Sequence, residues 1–249
     1  MNIIFNFSSK RFVVTGATSG IGKKITEDLI KSGAVVLALG RRKEKLNFLK
    51  EQFGEKISTE ALDVNNFDSL KSAVEKFAED GKIDGSIHCA GINKFTPLRA
   101  FNWNDAEQII KTSLFAGIEL IKIVSSKKIT SEKSSHILLA SVAGIKGEIG
   151  FTAYSAAKSA VIGTVKTLAL ELAIKDIRVN AITPGWIPTE MTDAIDARYP
   201  GHIDTIKLQH PLGIGSADDV SNLAMFLLSD EAKWITGTNI VIDGGYSIK

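Results

Sequence analysis

The fold is decided by one stretch near the amino terminus, Phe12-Val13-Val14-Thr15-Gly16-Ala17-Thr18-Ser19-Gly20-Ile21-Gly22. An apolar, β-rich run leads into a glycine-rich loop, and a segment with helical periodicity follows from Ile21 to Ser32. Gly16 allows a tight turn, Gly20 lets the backbone approach a pyrophosphate, and Gly22 allows a helix to pack closely on a strand. The helix start offers N–H groups and partial positive charge to an anion. The stretch therefore predicts a strand–loop–helix unit that binds a dinucleotide.

The predicted cofactor contacts in this loop are Gly16, Thr18, Ser19, Gly20, Ile21 and Gly22. A phosphate-binding P-loop is excluded: counted from Gly16, Ile21 stands where its second glycine is required, and counted from Gly22-Lys23, Lys24 stands where Ser or Thr is required. A glycine-rich turn without a ligand is the other alternative. The position of the loop at the first strand-to-helix turn disfavours it.

Short apolar runs alternate with helical segments along the rest of the chain. The runs are Phe12–Thr15, Ala34–Leu39, Ile57–Leu62, Ile83–His88, His136–Ala140, Ile177–Ile182 and Asn239–Ile242. The helical segments are Ile21–Ser32, Lys43–Phe53, Phe67–Asp80, Asn104–Ser126, Phe151–Lys175 and Ala217–Leu228. Nearly continuous apolar strands are expected where helices cover both faces of a parallel sheet. We therefore predict an α/β protein with one Rossmann domain over residues 1–249 and a doubly wound parallel sheet of about seven strands.

Composition and the pattern of apolar residues disfavour several kinds of partner and location. The net charge is only +2, from 30 basic and 28 acidic residues, which disfavours nucleic acid and membrane surfaces as partners. No run reaches the roughly 18 apolar residues of a spanning helix, and the start of the chain lacks the layout of a secretory signal. The single cysteine fits a reducing compartment, so we expect a cytoplasmic protein.

One long stretch, Ile187–Gly213, has no clear periodicity and carries Pro188, Pro200, Gly201 and Pro211. Long irregular connections in compact domains are often functional. We predict a substrate lid at about 187–213. Within Trp186–His210, the side chains expected to decide the substrate are Met191, Tyr199 and Ile203.

The choice of cofactor is expected at the end of the second strand, where the sequence reads Gly40-Arg41-Arg42. An acidic residue there would bind the ribose 2′-hydroxyl of NAD, whereas arginine accommodates the 2′-phosphate of NADP. No acidic residue lies between Gly40 and Glu44, and Arg41 is the first charged residue after the strand. The sequence favours NADP(H) over NAD(H), with Arg41 at the phosphate. The alternative is that the basic residues of this stretch only decorate a solvated helix start, namely Arg41, Arg42, Lys43 and Lys45.

Tyr154 and Lys158 are four residues apart in a helical segment, so they share one helix face. A phenol has an ordinary pKa of about 10, and a neighbouring ammonium lowers that pKa towards neutrality. Ser141 directly follows an apolar run, where a strand would deliver its hydroxyl to the carboxyl edge of the sheet. Together with the glycine loop, these three residues predict acid–base chemistry at a carbonyl or alcohol oxygen.

These motifs resemble those of the short-chain dehydrogenase/reductase family over nearly the whole chain. The matching motifs are Thr15-Gly16-x3-Gly20-x-Gly22, Asp63-Val64, Cys89-Ala90-Gly91, Ser141, Tyr154, Lys158, Arg178-Val179-Asn180, Pro184-Gly185, Ile187, Thr189, Thr236-Gly237 and Asp243-Gly244-Gly245. The resemblance implies that Asp63 and Val64 hold the adenine ring. It also implies that Ala90, Gly91, Pro184, Gly185, Ile187 and Thr189 contact the cofactor.

The resemblance also implies the chemistry, in which hydride passes to or from C4 of the nicotinamide. Tyr154 would act as the acid in reduction and the base in oxidation. Lys158 would lower the pKa of Tyr154 and bind the nicotinamide ribose, and Ser141 would polarise the carbonyl. The chain departs from the family at Ser113, where an asparagine usually completes a proton relay to the lysine. It also departs at Cys89, which replaces the first asparagine of Asn-Ala-Gly and is expected to be a buried apolar residue.

Within the family, the pattern resembles most the 3-oxoacyl-[acyl-carrier-protein] reductase branch, including Pro211–Gly215. That branch presents basic residues near its cleft to an acidic carrier protein, and the candidates here are Lys127, Lys128 and Lys175. A sugar, polyol or other small carbonyl substrate stays open. The resemblance further implies a homotetramer or homodimer built on Asn104–Ser126 and Phe151–Lys175. The apolar residues of the second segment are compatible with both core and interface roles, and they are Val161, Val165, Leu168 and Leu172.

Two other function classes compete with this prediction. A serine hydrolase would need a Gly-x-Ser-x-Gly elbow, which the sequence lacks. The four histidines, His88, His136, His202 and His210, lack metal-ligand spacing, so no metal is expected. A non-catalytic dinucleotide-binding sensor is the remaining alternative, and Ser113 is its only support.

Overall fold

The computed structural model describes residues 5–190, 192 and 202–249. The described strands form one sheet, in which every pair of neighbours is parallel and the order is β3-β2-β1-β4-β5-β6-β7. The strands are β1 (Arg11–Thr15), β2 (Val35–Gly40), β3 (Ile57–Ala61), β4 (Ile83–His88), β5 (Thr130–Leu139), β6 (Arg178–Pro184) and β7 (Asn239–Ile242). The predicted Rossmann fold is confirmed.

Helices cover both faces of the sheet. They are α1 (Gly20–Lys31), α2 (Lys43–Phe53), α3 (Phe67–Ala78), α4 (Trp103–Ile110), α5 (Ala116–Val124), α6 (Thr152–Ala173), α7 (His202–Gln209) and α8 (Ala217–Leu228). In β1, Phe12 and Val14 pack in a core with residues of α1 and α8, while Val13 packs in a second core with residues of α3 and α5. Successive strand residues point to opposite faces, so both cores require apolar residues. This arrangement explains the nearly continuous apolar runs.

The sheet reverses its strand order at β1, which lies between β2 and β4. Thr15 at the end of β1 pairs in register with Leu39 of β2 and His88 of β4. The loops that follow these three strands therefore begin side by side. In an open parallel sheet, ligands bind in the crevice at such a switch point.

The predicted helical segment Asn104–Ser126 is helical from Trp103 to Val124, but it is not one regular α-helix. A π-helical turn at Lys111–Phe115 separates α4 from α5. π-turns inside helices often lie at functional sites, because they release a backbone carbonyl from the regular ladder. Here the carbonyl of Thr112 accepts a hydrogen bond from the ring of His88, outside its own helix.

The predicted lid at 187–213 is partly helical, because α7 occupies His202–Gln209. Ile203 falls within this helix. Met191 and Tyr199 lie outside the described residues. Among the helices that the structure describes, none has both the length and the apolar character needed to cross a bilayer.

Candidate active site

A cleft of about 390 Å³ opens at the carboxyl ends of the strands. Its walls contain every cofactor residue predicted from the sequence, together with three of the four predicted catalytic residues, Ser141, Tyr154 and Lys158. The fourth, Ser113, is fully buried behind the cleft wall. Each strand delivers its part of the site through the loop that follows it, as the parallel sheet dictates.

The glycine loop has the shape of a cradle for an anion. Gly16 has a φ of +67°, and a Cβ added there would lie 2.8 Å from the backbone nitrogen of Ala90. A Cβ on Gly22 would overlap the carbonyl oxygen of Gly16. Ser19 precedes α1 with extended backbone and no side-chain cap, and the first turn of α1 has no acidic residue. The helix N–H groups are therefore available to a pyrophosphate, and the residues present fit a dinucleotide.

Two adjacent arginines border the adenosine end of the cleft. The sequence pointed to Arg41, whose exposed side chain does line the cleft. Arg42 is held more firmly, because its guanidinium donates two hydrogen bonds to Thr18 Oγ1 of the glycine loop, at 3.1 Å and 3.3 Å. Arg42 and Lys45 also pair with the carboxylate of Glu190. Arg42, which lines the cleft and contacts Thr18, is therefore a site residue that the sequence did not single out, and Lys45 is connected to it through Glu190.

The exit of β3 is fixed by short polar contacts. Asp63 accepts a hydrogen bond from the backbone of Asn65, which shapes the turn beside Val64. The amide of Asn65 in turn donates to Thr112 Oγ1 at 2.8 Å. The predicted adenine-binding pair, Asp63 and Val64, is thereby connected to the π-turn.

Tyr154 and Lys158 lie on one face of α6, next to the end of β5. The ammonium nitrogen of Lys158 lies 5.6 Å from the centre of the Tyr154 ring and donates a hydrogen bond of 2.6 Å to the Leu139 carbonyl. Ser141 follows β5 with extended backbone, and its hydroxyl accepts from the backbone of Ala143 at 3.3 Å. The last strand residues thus anchor the lysine and present the serine on the same side of the cleft.

Burial is the largest influence on the pKa values of Tyr154 and Lys158. Desolvation lowers the pKa of Lys158 to about 8. Desolvation raises the pKa of Tyr154 to about 12, against the opposing effect of hydrogen bonding to Ser141. The sequence predicted that Lys158 would lower the pKa of Tyr154, and in this structure the shift has the opposite direction. Desolvation of the phenolate is the largest cause, the carboxylate of Glu148 adds to it, and Lys158 is not among the groups that shift this pKa.

Ser113 borders the same space as Lys158. A Cβ added to Gly91 would lie 3.6 Å from Ser113 Oγ and 3.7 Å from Lys158 Nζ. Ser113 Oγ is buried and has no hydrogen-bond partner within the described part of the chain. A buried hydroxyl of this kind needs an explanation, and a role beside the lysine supplies one.

His88 connects three parts of the site and was not predicted as a site residue. Its ring Nε2 faces the Thr112 carbonyl at 2.9 Å, so this nitrogen must carry the proton. Burial lowers the pKa of His88 to about 4, so the ring is neutral and Nδ1 is an acceptor. Thr15 therefore donates to Nδ1 at 2.9 Å, and the Ala90 N–H donates to Thr15 at 3.2 Å. The only sequence signal was the position of His88 at the end of an apolar strand.

Cys89, expected to be buried, is only partly buried, because it lines the cleft while it packs against the core cluster beside α1. Burial raises the pKa of Cys89 to about 12, which keeps the side chain as a thiol. His136 is also fully buried, and its ring lies within hydrogen-bonding distance of Ser86 and Ser134. Within the described residues, no group of three or more His, Cys, Asp or Glu side chains could hold a metal ion.

The substrate side of the cleft contains residues that carried no motif. Asn93, Glu148, Phe151 and Trp186 line it. The Oδ1 atom of Asn93 is buried without a hydrogen-bond partner in the described residues, so it is available to a ligand. Glu148 accepts a hydrogen bond of 3.1 Å from the Tyr246 hydroxyl near the carboxyl terminus.

His210 fastens the end of the predicted lid segment to the body of the protein. Its ring stacks on Tyr246 with 4.6 Å between centres. Its Nδ1 donates to the Ile206 carbonyl, and its Nε2 accepts from the backbone of Trp186 at 3.4 Å. The carboxyl-terminal residues thereby support the cleft wall.

The basic residues predicted near the cleft lie at the other edge of the sheet. Lys127 and Lys128 follow α5, and their carbonyls accept hydrogen bonds from Lys82, which precedes the first residue of β4. Lys175 follows α6 and donates to the Ser125 carbonyl at 3.4 Å. The helices return the chain to the amino ends of the strands, so loops after helices lie opposite the cleft. The prediction that these lysines flank the cleft is wrong.

The arrangement is shared with known oxidoreductases. A family model described as Enoyl-(Acyl carrier protein) reductase matches residues 16–247. The chain is 37% identical to the 3-oxoacyl-[acyl-carrier-protein] reductase FabG of Thermotoga maritima over 241 residues, which are 95% of this chain and 97% of that protein. It is 36% identical to the protein of the same name from Escherichia coli over 246 residues, which are 96% of this chain and 98% of that protein.

A solved structure shares the fold closely. It is the short-chain dehydrogenase/reductase described as glucose/ribitol dehydrogenase from Brucella melitensis, with a TM-score of 0.92 and 31% identity over 98% of this chain and 99% of that chain. The parallel sheet, the glycine cradle and these matches over nearly all of the chain lead to one conclusion. The chain belongs to the short-chain dehydrogenase/reductase family and is an oxidoreductase that acts on CH–OH groups.

Proposed function

We propose that the protein reduces a 3-oxoacyl thioester to the 3-hydroxyacyl thioester, with NADPH as the reductant. The observation that carries this proposal is the convergence of Ser141, Tyr154 and Lys158 on one cleft wall, opposite a glycine cradle that fits a dinucleotide. The FabG relatives, at 36% and 37% identity, support the thioester as substrate. An acyl carrier protein is accordingly the proposed carrier of the acyl chain.

The proposed mechanism assigns the reacting proton to Tyr154. When bound, the nicotinamide supplies the hydride, which goes to the carbonyl carbon. Tyr154 donates its phenolic proton to the carbonyl oxygen as the carbon–oxygen double bond becomes a single bond. Burial raises the pKa of Tyr154 to about 12, which keeps the residue in the phenol form required of an acid in the reductive direction.

Ser141 and Lys158 complete the proposed assignment. Ser141 presents its hydroxyl at the end of β5 and donates a hydrogen bond to the same carbonyl oxygen, polarising it for attack. Lys158 stabilises the phenolate that remains after proton transfer. Its ammonium and the unpartnered hydroxyl of Ser113 border the space beside Gly91, so Ser113 takes part in returning a proton to the pair.

NADP(H) is the proposed cofactor, in preference to NAD(H). Arg41 and Arg42 follow β2 directly, where NAD-specific proteins carry an acid. Their side chains line the adenosine end of the cleft. A guanidinium can pair with a phosphate through two parallel hydrogen bonds. Arginine therefore binds the 2′-phosphate of NADP(H) more strongly than the neutral 2′-hydroxyl of NAD(H).

A sugar or polyol dehydrogenase is the second candidate. The observation that favours it is the close structural match to the protein described as glucose/ribitol dehydrogenase. The two candidates are separated by initial rates with a 3-oxoacyl thioester and NADPH, compared with a panel of polyols and NADP. We expect turnover of the thioester to exceed that of every polyol. Faster polyol oxidation would replace the first candidate with the second.

We also propose that the protein is cytoplasmic and assembles as a homotetramer or homodimer through the helical face formed by α4 to α6. Of the four apolar residues compatible with either a core or an interface role, Val161, Val165 and Leu172 belong to the core. The outward apolar residues are others, namely Trp103, Phe115, Leu170 and Ile174, which are 48–91% exposed. Large exposed apolar side chains in a group are typical of an interface. Light scattering of the wild type and of Leu170→Glu tests this, and a monomeric wild type would contradict it.

A further inference from the structure

Glu190 directly follows the cleft residue Thr189 and lies beside Arg42, at the edge of the predicted adenosine end of the cleft. One of its carboxylate oxygens pairs with the guanidinium of Arg42 and the other with the ammonium of Lys45. The same guanidinium donates to Thr18 Oγ1 of the glycine loop. Glu190 therefore connects the segment after β6 to the start of α2, at the edge of the predicted cofactor site.

The position of this cluster is fixed by the close approach of β2 to the glycine loop. A Cβ added to Gly40 would lie 2.8 Å from the methyl group of Thr18, so the chain after Gly40 must pass directly beside the loop. Arg42 follows two residues later. By the general rule for these sheets, the 2′ position of the adenosine ribose is read at this strand end. The two cations held by Glu190 are therefore the cations that a 2′-phosphate would meet.

Arg42 and Lys45 form an anion-binding site, and the carboxylate of Glu190 occupies it. A carboxylate with one cation on each oxygen has the arrangement that a phosphate would adopt between the same two groups. The carboxylate of Glu190 cancels one of the two positive charges, and both ion pairs lie at the surface, where Arg42, Lys45 and Glu190 are 39%, 44% and 54% exposed. Exposed pairs are weak and are exchanged readily.

We propose that Glu190 occupies the 2′-phosphate subsite formed by Arg42, Lys45 and Thr18, and that it competes there with the 2′-phosphate of NADP(H). This inference rests on the proposed preference for NADP(H). A phosphate monoester carries a charge of about −1.5 to −2 and three acceptor oxygens, so it displaces the carboxylate. The competition reduces the affinity for NADPH and leaves the affinity for NADH unchanged, because NADH has only a hydroxyl at this position.

The test is equilibrium binding of NADPH and NADH, followed by cofactor fluorescence, to the wild type and to Glu190→Gln. The matched control is Glu44→Gln, which removes an exposed carboxylate from the first turn of the same helix that carries Lys45. We expect Glu190→Gln to lower the Kd for NADPH by about three- to tenfold and to leave the Kd for NADH within about twofold. We expect Glu44→Gln to change neither by more than about twofold.

Adenosine 2′-phosphate serves as a second probe, because it carries the phosphate without the nicotinamide. Glu190→Gln should tighten its binding by the same factor. An unchanged Kd for NADPH and for adenosine 2′-phosphate would overturn the proposal, and so would equal tightening of NADPH and NADH. If the wild type binds NADH more tightly than NADPH while Glu190→Gln still tightens NADPH alone, the role of Glu190 stands and the proposed cofactor preference fails.

Discussion

The two ends of the cleft differ in how far their polar side chains are exposed to water. At the nicotinamide end, Lys158, His88 and Ser113 are at most 4% exposed, and their proton affinities and contacts are controlled by burial. At the adenosine end, Arg42, Lys45 and Glu190 are 39–54% exposed and interact through charges in contact with water. Buried polar groups are costly to disturb, whereas exposed ion pairs contribute little each. We therefore propose that the buried end carries the chemistry and that the exposed end adjusts the affinity for the cofactor.

The largest effect is expected for Tyr154→Phe, which removes the proposed acid and keeps the ring. General acid catalysis contributes about 10²- to 10⁴-fold, so kcat should fall within that range. The Kd for NADPH, measured by fluorescence titration, should change by less than about twofold. A variant that retains wild-type kcat would remove Tyr154 from the mechanism and would break the division between the two ends.

His88→Ala should lower both stability and activity. The change leaves the Thr112 carbonyl and Thr15 without their buried partner, and each such loss costs about 1–3 kcal/mol. The π-turn that carries Ser113 also loses its anchor, and misplacement of this kind lowers kcat by about 10- to 100-fold. Chemical denaturation and steady-state kinetics measure the two effects.

His136→Ala is the matched control for this prediction. His136 is equally buried, but its hydrogen bonds go to Ser86 and Ser134 in the neighbouring strands and not to the π-turn. We expect a comparable loss of stability with kcat within about threefold of the wild type. Equal losses of kcat in the two variants would reduce His88 to a general structural residue.

The pH dependence of kcat reports on Lys158. Burial lowers the pKa of Lys158 to about 8, so the ammonium is present below that pH and is lost above it. Since the proposed mechanism needs the ammonium, kcat should be constant below about pH 8 and fall about tenfold per unit above it. A profile that stays flat well above pH 8 would contradict this role.

The lowered pKa of Lys158 also affects stability, which should rise with pH over a range in which kcat falls. The pKa of Lys158 is lower in the folded protein than in the unfolded chain, so the unfolded chain binds more protons from about pH 8 up to the ordinary lysine value. The free energy of unfolding of the wild type, measured relative to Lys158→Met, should therefore rise with pH across this window. A relative stability that falls there would show that the ammonium is not desolvated.

Much of the fold and of the site was predictable from the sequence, and the reasons are physical. The buried strands alternate between two cores, so they read as apolar runs, and the glycine loop needs glycine because backbone atoms occupy the space of a Cβ at Gly16 and Gly22. Tyr154 and Lys158 follow from helical spacing. These signals are local, so they can be read without knowing the fold.

The remaining features depend on contacts between distant parts of the chain. The π-turn depends on His88, which lies 24 residues before Thr112 in the sequence, and Glu190 lies 148 residues after Arg42. No periodicity encodes such pairs. The choice between Arg41 and Arg42 depends on the direction in which each side chain leaves the strand end. The direction of the shift in the pKa of Tyr154 depends on how far the folded chain buries the phenol.

The adenosine end is expected to show the smallest effects. Arg42→Ala removes a cation that contacts both Thr18 and Glu190, so the Kd for NADPH should rise about five- to tenfold, with NADH little changed. Arg41→Ala should raise the Kd for NADPH by only about twofold. Fluorescence titration of both variants measures the difference. The reverse order would restore Arg41 as the main phosphate contact.

The most direct test of the account is the fate of the hydride in a single turnover. NADPH carrying deuterium at the transferred position of C4 is mixed with enzyme and a 3-oxoacyl thioester, and the product is analysed by mass spectrometry. The account predicts a 3-hydroxyacyl thioester with one deuterium on the carbinol carbon, formed by the wild type and formed about 10²- to 10⁴-fold more slowly by Tyr154→Phe. A product without deuterium, or equal rates for the two proteins, would contradict it.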